Sequence, residues 1–254
     1  QPNTNTTTTT TTTGDGREDQ TDPDLVLAAS LFKKAADLGD AKAMFGYARC
    51  LEKGDGVQAD RKTALSYYEL AAKNGCADAM NNYAFVLEGL GRSEEAVSFY
   101  KKAIQLGHVG AMFNFGCVLL RGSHGIEQNK NEAAHYIKMA ADNGYAAAMH
   151  CYALMLDNGN GVDVDKNEAT RYFKMAAENG HPPAMLKCGD MFISAGEEAM
   201  KSEEGKKFIR LAADAGHPIA MLRYGEMLEN DGDTMGAMSY YIASAKLGNN
   251  EALA

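Results

Sequence analysis

One short motif returns along this chain every 32 to 37 residues, and this repetition constrains the fold more than any other feature. Each copy has a glycine followed four and five residues later by Ala-Met, as in Gly39 before Ala43 and Met44. The equivalent glycines are Gly39, Gly75, Gly107, Gly144, Gly180 and Gly216, and a further copy begins at Gly248. Self-similarity of this period is typical of stacked structural repeats. Such an array presents one continuous surface, because each repeat contacts only its neighbours.

Each repeat is predicted to hold two helices, A and B, whose positions we count from the glycine. The A helix carries Ala at +4, Met at +5, an aromatic residue at +8, a small residue at +9 and usually Leu at +12. Positions +5, +8, +9 and +12 fall on one stripe of a helix, so we expect them in the core. Counted back from the next glycine, the B helix carries small residues at −11, −4 and −3 and an aromatic residue at −8. That glycine suits the left-handed position that ends a helix.

The combined pattern reads Ala-x-x-x-aromatic-Gly/Ala-x-x-Leu, then Gly-x-Gly-Val, then Ala-x-x-Tyr-x-x-Ala-Ala-x-x-Gly. It resembles the Sel1-like repeat of the HCP-like superfamily over about residues 25–254, and the shorter copy around Leu90-Gly91-Arg92 resembles a tetratricopeptide repeat. The resemblance implies an all-α, right-handed α-solenoid of helix-turn-helix repeats that serves as an adaptor or scaffold. The in-register cysteine pairs of the cysteine-rich bacterial branch are missing here, so neither disulfides nor penicillin binding is carried over.

Two regions are expected along the chain. Residues 1–22 form a threonine-rich, low-complexity tail that is predicted to be disordered, because it cannot bury apolar surface. Residues 23–254 form the repeat solenoid, which opens with a B helix at Pro23, where Asp22 is a suitable cap. The chain begins with Gln1 instead of Met and closes on the first turn of another repeat, so we expect both ends to be truncated.

Composition excludes several classes of partner. The net charge of −9 argues against sequence-independent nucleic-acid binding, which needs a basic stripe, and against attraction to an anionic membrane. No run of 18 apolar residues is present, so no membrane insertion is expected. The five cysteines are odd in number and out of register, which favours free thiols in a reducing compartment. We therefore predict a cytoplasmic location, with a lost signal peptide as the alternative.

Two kinds of segment resemble catalytic or metal-binding motifs, but the repeat accounts for both. Two Ser-x-x-Lys sequences, at 30–33 and 98–101, resemble the nucleophile motif of penicillin-recognising enzymes, but both lie at the same B-helix offset and follow from the repeat. The acidic segment 157–168 resembles a calcium-binding EF-hand loop, but Val162 stands where the glycine of the bend belongs. We predict a non-enzyme without catalytic residues or cofactors, and no small-molecule substrate.

The spacing of the histidines does not suit a shared metal ion. His108, His181 and His217 all lie at +1, a full repeat apart, which is too far for one metal ion. His150 and Cys151 are adjacent but project from different sides of a helix, and no partner pair is evident. No metal site is predicted.

The face opposite the core stripe centres on +3, +7, +10 and +14, and in solenoids of this type it lines the concave side. The candidate partner-binding residues on it are Asn82, Phe85, Asn114, Cys117, Cys151, Leu154, Lys187 and Arg223. The two asparagines suit the backbone of an extended peptide, because an amide both donates and accepts hydrogen bonds. The middle four residues suit a hydrophobic side chain. The two cations suit an acidic group, with Asp190 and Glu226 as neutralising i,i+3 neighbours.

The leading hypothesis is therefore a non-enzymatic scaffold that binds a protein or peptide along its concave face and helps to assemble multiprotein complexes. The alternative is a non-catalytic regulatory region of a larger signalling enzyme, such as a protein kinase. A third reading, a secreted repeat enzyme, is disfavoured by the unpaired cysteines.

Overall fold

The chain is all-helical over the residues that this computed structural model describes, namely 22–122, 125–194 and 203–248. The helices in that part are α1 Pro23–Asp37, α2 Ala41–Lys53, α3 Arg61–Lys73, α4 Ala77–Gly89, α5 Ser93–Gln105, α6 Val109–Arg121, α7 Lys130–Asp142, α8 Ala146–Asn158, α9 Lys166–Glu178, α10 Pro182–Ser194, α11 Glu203–Asp214, α12 Pro218–Asn230 and α13 Thr234–Lys246. The described region contains no strand. The prediction of a disordered threonine-rich tail lies outside the described residues, apart from Asp22.

The helices belong to two compact units, Gln1–Tyr67 and Tyr68–Ala254, which are described separately. In the first unit α1 packs on α2. In the second unit each helix from α4 to α13 packs on the next one in the sequence. The even-numbered helices are the predicted A helices and the odd-numbered ones the B helices. The second unit is therefore a stack of helical hairpins, which is the solenoid architecture expected from the repeats.

The predicted core stripe is buried in α2, α4, α6 and α8, and is partly buried in α10 and α12. In α8, for example, Met149, Tyr152, Ala153 and Leu156 are all inside. The rings at +8 and −8 of one repeat meet edge to face, with centroids 4.9–5.0 Å apart, an arrangement that aromatic pairs prefer. These pairs are Tyr47–Tyr67, Tyr83–Phe99, Phe115–Tyr136, Tyr152–Tyr172 and Tyr224–Tyr240.

The glycine loop between the A and B helices has a packing reason. Gly161 has a φ of 80°, and a β-carbon there would lie 2.2 Å from the backbone oxygen of Lys130. In the first unit Gly56 has a φ of 70°, and its β-carbon would lie 2.1 Å from the backbone oxygen of Leu25. The second glycine of each Gly-x-Gly loop thus permits both the left-handed turn and a close backbone approach to an earlier B helix.

Candidate partner-binding face

The eight predicted binding residues all lie on A helices. Successive A helices of the second unit contribute a continuous surface, which we term the A-helix face and define by positions +6, +7, +10, +13 and +14 of α4, α6, α8, α10 and α12. Asn82 and Phe85 belong to α4, Asn114 and Cys117 to α6, Cys151 and Leu154 to α8, Lys187 to α10, and Arg223 to α12.

The two predicted asparagines are connected through a third. The side-chain amide nitrogen of Asn114 donates to Oδ1 of Asn81 at 2.9 Å, and the nitrogen of Asn81 donates to Oδ1 of Asn82 at 3.2 Å. Within the described part of the chain, no hydrogen bond uses the Asn82 nitrogen or the Asn114 oxygen. The network therefore keeps a donor at one end and an acceptor at the other, the pair that a peptide group requires.

The predicted apolar middle combines two exposed side chains with two partly buried thiols. Phe85 is 64% exposed and Leu154 is 38% exposed. Burial raises the pKa of Cys117 to about 12, to which neighbouring Cys151 contributes, and burial also raises the pKa of Cys151. Both thiols are free and stay protonated at neutral pH, so they are poor nucleophiles. They supply apolar contact surface.

The basic end differs from expectation. A guanidinium nitrogen of Arg223 lies 2.8 Å from a carboxylate oxygen of Asp190, so its ion pair crosses from α12 to α10. The sequence suggested Glu226, on the same helix, as the partner. Position +7 of one repeat lies against +10 of the preceding repeat, and this proximity decides the pairing. The ammonium of Lys187 lies 5.6 Å from the ring centroid of Phe173, in cation–π geometry.

Sequence reasoning missed Asn81 at +6 and an ion pair between Arg121 and Glu88 of adjacent A helices. Glu88 also accepts a 3.4 Å hydrogen bond from the Tyr100 hydroxyl. Complementary polar residues one repeat apart were the available signal. Asn81 at +6 and Glu88 at +13 lie one residue from the predicted rows, because neighbouring A helices do not meet at identical offsets.

The acidic segment 157–168 serves structural contacts. Asp157 pairs with the Lys166 ammonium at 2.7 Å, and Asp165 accepts from the Glu168 backbone N–H at 2.9 Å, which caps α9. Glu168 itself pairs with Arg171 at 2.5 Å. Among the residues with described positions, no group of three or more His, Cys, Asp or Glu side chains is placed to hold a metal ion.

The fold brings together two histidines that the sequence places in different repeats. The rings of His150 and His181 lie 4.9 Å apart, and His150 also contacts Phe173 at 5.7 Å. Burial chiefly, with contributions from the nearby His181 and Lys187, lowers the pKa of His150 to about 4. Burial likewise lowers the pKa of His181.

We expect the free energy of unfolding to decrease as the pH is lowered, because His150 is buried in its neutral form. Its pKa is about 4 when folded, against an ordinary value of 6.5, so between these values the unfolded chain binds the extra proton. Above pH 6.5 the histidine is neutral in both states, so the fold loses nothing. As the pH falls from 6.5 towards 4, protonation of the unfolded chain increasingly lowers the free energy of unfolding. Allowing for partial exposure, we expect a loss of about 1–2 kcal/mol. Urea unfolding at pH 7 and pH 4.5 measures it, and His150→Gln should remove part of the difference. An unchanged pH dependence in that variant would contradict the assignment.

Comparison with known proteins agrees with this architecture. The sequence model of the Sel1 repeat family matches residues 13–40, 41–76, 77–108, 109–145, 146–181, 182–217 and 218–249. A solved Sel1 repeat protein from Oxalobacter formigenes superposes with a TM-score of 0.76 at 25% identity, over 88% of this chain and 66% of that one. The protective antigen c5321 of uropathogenic Escherichia coli, which displays the same repeat fold, superposes with a TM-score of 0.66 at 23% identity, over 89% of this chain and 50% of that one.

The chain therefore belongs to the Sel1 repeat family. These repeats typically mediate protein–protein interaction, and the family is generally non-catalytic. An F-box protein of Arabidopsis thaliana is 32% identical over 99 residues, which are 39% of this chain and 27% of that protein. The chain thus spans about a quarter of that relative's length. Each helix that the structure describes is too short or too polar to cross a membrane.

Proposed function

We propose that this protein is a non-enzymatic scaffold whose A-helix face binds an extended segment of a protein partner. One observation carries the proposal. The Asn82–Asn81–Asn114 network keeps a free donor and acceptor on the same A-helix face that exposes the apolar side chains Phe85 and Leu154. Amides aligned with apolar contacts suit an extended backbone and its side chains.

The face also sets what the segment should contain. Phe85 is the best candidate anchor, because exposed aromatic side chains dominate binding energy at interfaces. The partly buried thiols and Leu154 favour an apolar side chain in the middle of the segment. Arg223 is already paired with Asp190, so an acidic group of the partner would depend chiefly on Lys187. The free thiols support a reducing, cytoplasmic compartment as part of this proposal.

A second candidate is a regulatory repeat region within a longer chain. The observation that favours it is the F-box relative, in which the matched stretch is 27% of a larger protein. In that case the A-helix face would hold a partner for another domain of the same chain. The chemistry of the face is the same in both candidates.

Affinity capture followed by mass spectrometry tests the face. We would compare the native protein with a triple variant, Asn82→Ala, Phe85→Ala and Leu154→Ala. A matched control replaces three exposed leucines elsewhere, Leu70, Leu106 and Leu211, by alanine. Purified partners should bind the triple variant at least about tenfold more weakly, and the control as tightly as the native protein.

A partner that binds both variants equally would place its contact outside the A-helix face. Loss of binding in the control alone would move the contact to the B helices and turns. Lys187→Glu then tests the basic end separately, and it should weaken only partners that carry an acidic group near the anchor.

A further inference from the structure

A lysine above an aromatic ring is a recurring feature of the second unit. The Lys101 ammonium of α5 lies 5.5 Å from the ring centroid of Phe115 in α6. Lys138 of α7 lies 6.0 Å from the ring of Tyr152 in α8. In both cases the lysine is at −6 of one repeat and the ring is at +8 of the next. The +8 ring thus contacts both that cation and the −8 aromatic ring of its own repeat.

The repeat built from α10 and α11 lacks this ring. Its +8 residue is Cys188, which is 2% exposed, although the surrounding lysine and −8 ring are retained as Lys174 and Phe208. Phe192, at a position where the other repeats have leucine, takes both contacts. The Lys174 ammonium lies 5.3 Å from its ring, and Phe208 stacks parallel to it at 5.9 Å and 8°.

The same repeat also has a pocket. A pocket of about 210 Å³, open to solvent on one side, lies between α9 and α10, and its described lining is Thr170, Lys174, Cys188, Met191 and Phe192. This volume is below the range of about 300–1,000 Å³ that is usual for drug-sized ligands, so the pocket suits a ligand of a single ring. The lining is a ring, two sulfur-containing side chains, one hydroxyl and one cation, a combination of apolar wall and single charge.

The polar groups that line the pocket favour a ligand with a negative charge. Among the described residues, Lys174 has no carboxylate within ion-pair distance. The Thr170 hydroxyl donates to the Lys166 carbonyl at 2.8 Å, so it has no proton left for a ligand. Burial raises the pKa of Cys188 to about 11, so the thiol stays neutral and does not repel an anion. A ligand with a negatively charged group would therefore pair with the Lys174 ammonium.

We propose that this cavity binds a small aromatic carboxylate, with the ring against Cys188, Met191 and Phe192 and the carboxylate on Lys174. The ring would occupy the kind of environment that the chain gives its own +8 rings, beneath a lysine and beside an aromatic side chain. Methionine sulfur also packs favourably against aromatic rings. The ligand is held and not transformed, and this site is independent of the A-helix face.

Fluorine NMR with para-fluorophenylacetate tests the proposal. We expect the probe resonance to broaden and shift with a Kd of about 1 mM, typical of so small a ligand. Cys188→Phe supplies the missing ring and should abolish binding. Lys174→Gln should weaken binding about tenfold, while the matched change Lys138→Gln, above the intact +8 ring of Tyr152, should leave it unchanged. The Met191 methyl resonance, assigned with Met191→Leu, should move by the ring current of the probe.

Two analogues of the probe, one uncharged and one positively charged, test whether binding needs the negative charge. We expect para-fluorophenylethanol to bind more weakly and para-fluorophenethylamine not to bind. No response of the native protein at about 10 mM phenylacetate would overturn the proposal. Equal binding by the native protein and by Lys174→Gln would also overturn it. Because Lys174 is on the surface, this variant provides the test even if Cys188→Phe does not fold.

Discussion

Replacement of Tyr152 by alanine is expected to lower the free energy of unfolding by about 3 kcal/mol or more, as for other large-to-small changes in a core. The side chain is 7% exposed, meets the Tyr172 ring edge-on at 4.9 Å and lies beneath the Lys138 ammonium. Removing the ring leaves a void that contacts two neighbouring B helices. Urea unfolding followed by circular dichroism measures the loss, and the melting temperature should drop by about 6–12 °C.

Tyr152→Phe is the control, because it keeps the ring and removes only the hydroxyl. The preceding repeat already uses a phenylalanine, Phe115, at the equivalent position with the same edge-on geometry. We therefore expect a loss of less than about 1 kcal/mol. A melting temperature that moves by a degree or less in Tyr152→Ala would show that the core register of the A helices is wrong.

Gly161→Ala is expected to cost about 3 kcal/mol, although it adds a single methyl group. Two penalties combine at this site. An L-residue is strained at a φ of 80°, and the new β-carbon would lie 2.2 Å from a backbone oxygen of Lys130, which cannot move aside as a flexible side chain can. The loop or the start of α7 must shift. Urea unfolding again provides the measurement.

Gly144→Ala separates the two penalties. Gly144 has a φ of 87°, but an added β-carbon meets no atom within 4 Å, so only the conformational strain of about 1 kcal/mol remains. Equal losses in the two variants would mean that the close approach of loop and helix is not maintained in solution.

Much of the fold could be predicted because each position of a repeat can be compared with the equivalent positions of the other repeats in the same sequence. The core role of Tyr152 follows from aromatic residues at +8 in four other copies, and the cap at Asp22 follows from local chemistry that needs no tertiary contact. Asp22 does accept the predicted kind of hydrogen bond, from the Asp24 backbone N–H at 3.0 Å. Helix periodicity and helix ends are local properties, so one sequence suffices to find them.

The candidate face was less predictable. Its eight residues do lie on A helices, but the sequence paired Arg223 with the wrong acid and overlooked Asn81. Side chains at such positions choose partners on the neighbouring A helix, where the offset between helices decides which atoms meet. The repeat lengths of 32 and 36 residues do not reveal that offset.

The amino-acid sequence by itself determined the helical repeat, the helix ends and the buried stripe, because these depend on spacing within one or two turns of helix. Only the tertiary structure decided that His150 meets His181, that Arg223 pairs with Asp190, and that Cys188 lines a pocket between α9 and α10. Those outcomes depend on distances between helices from different repeats, which are fixed by how side-chain volumes pack together.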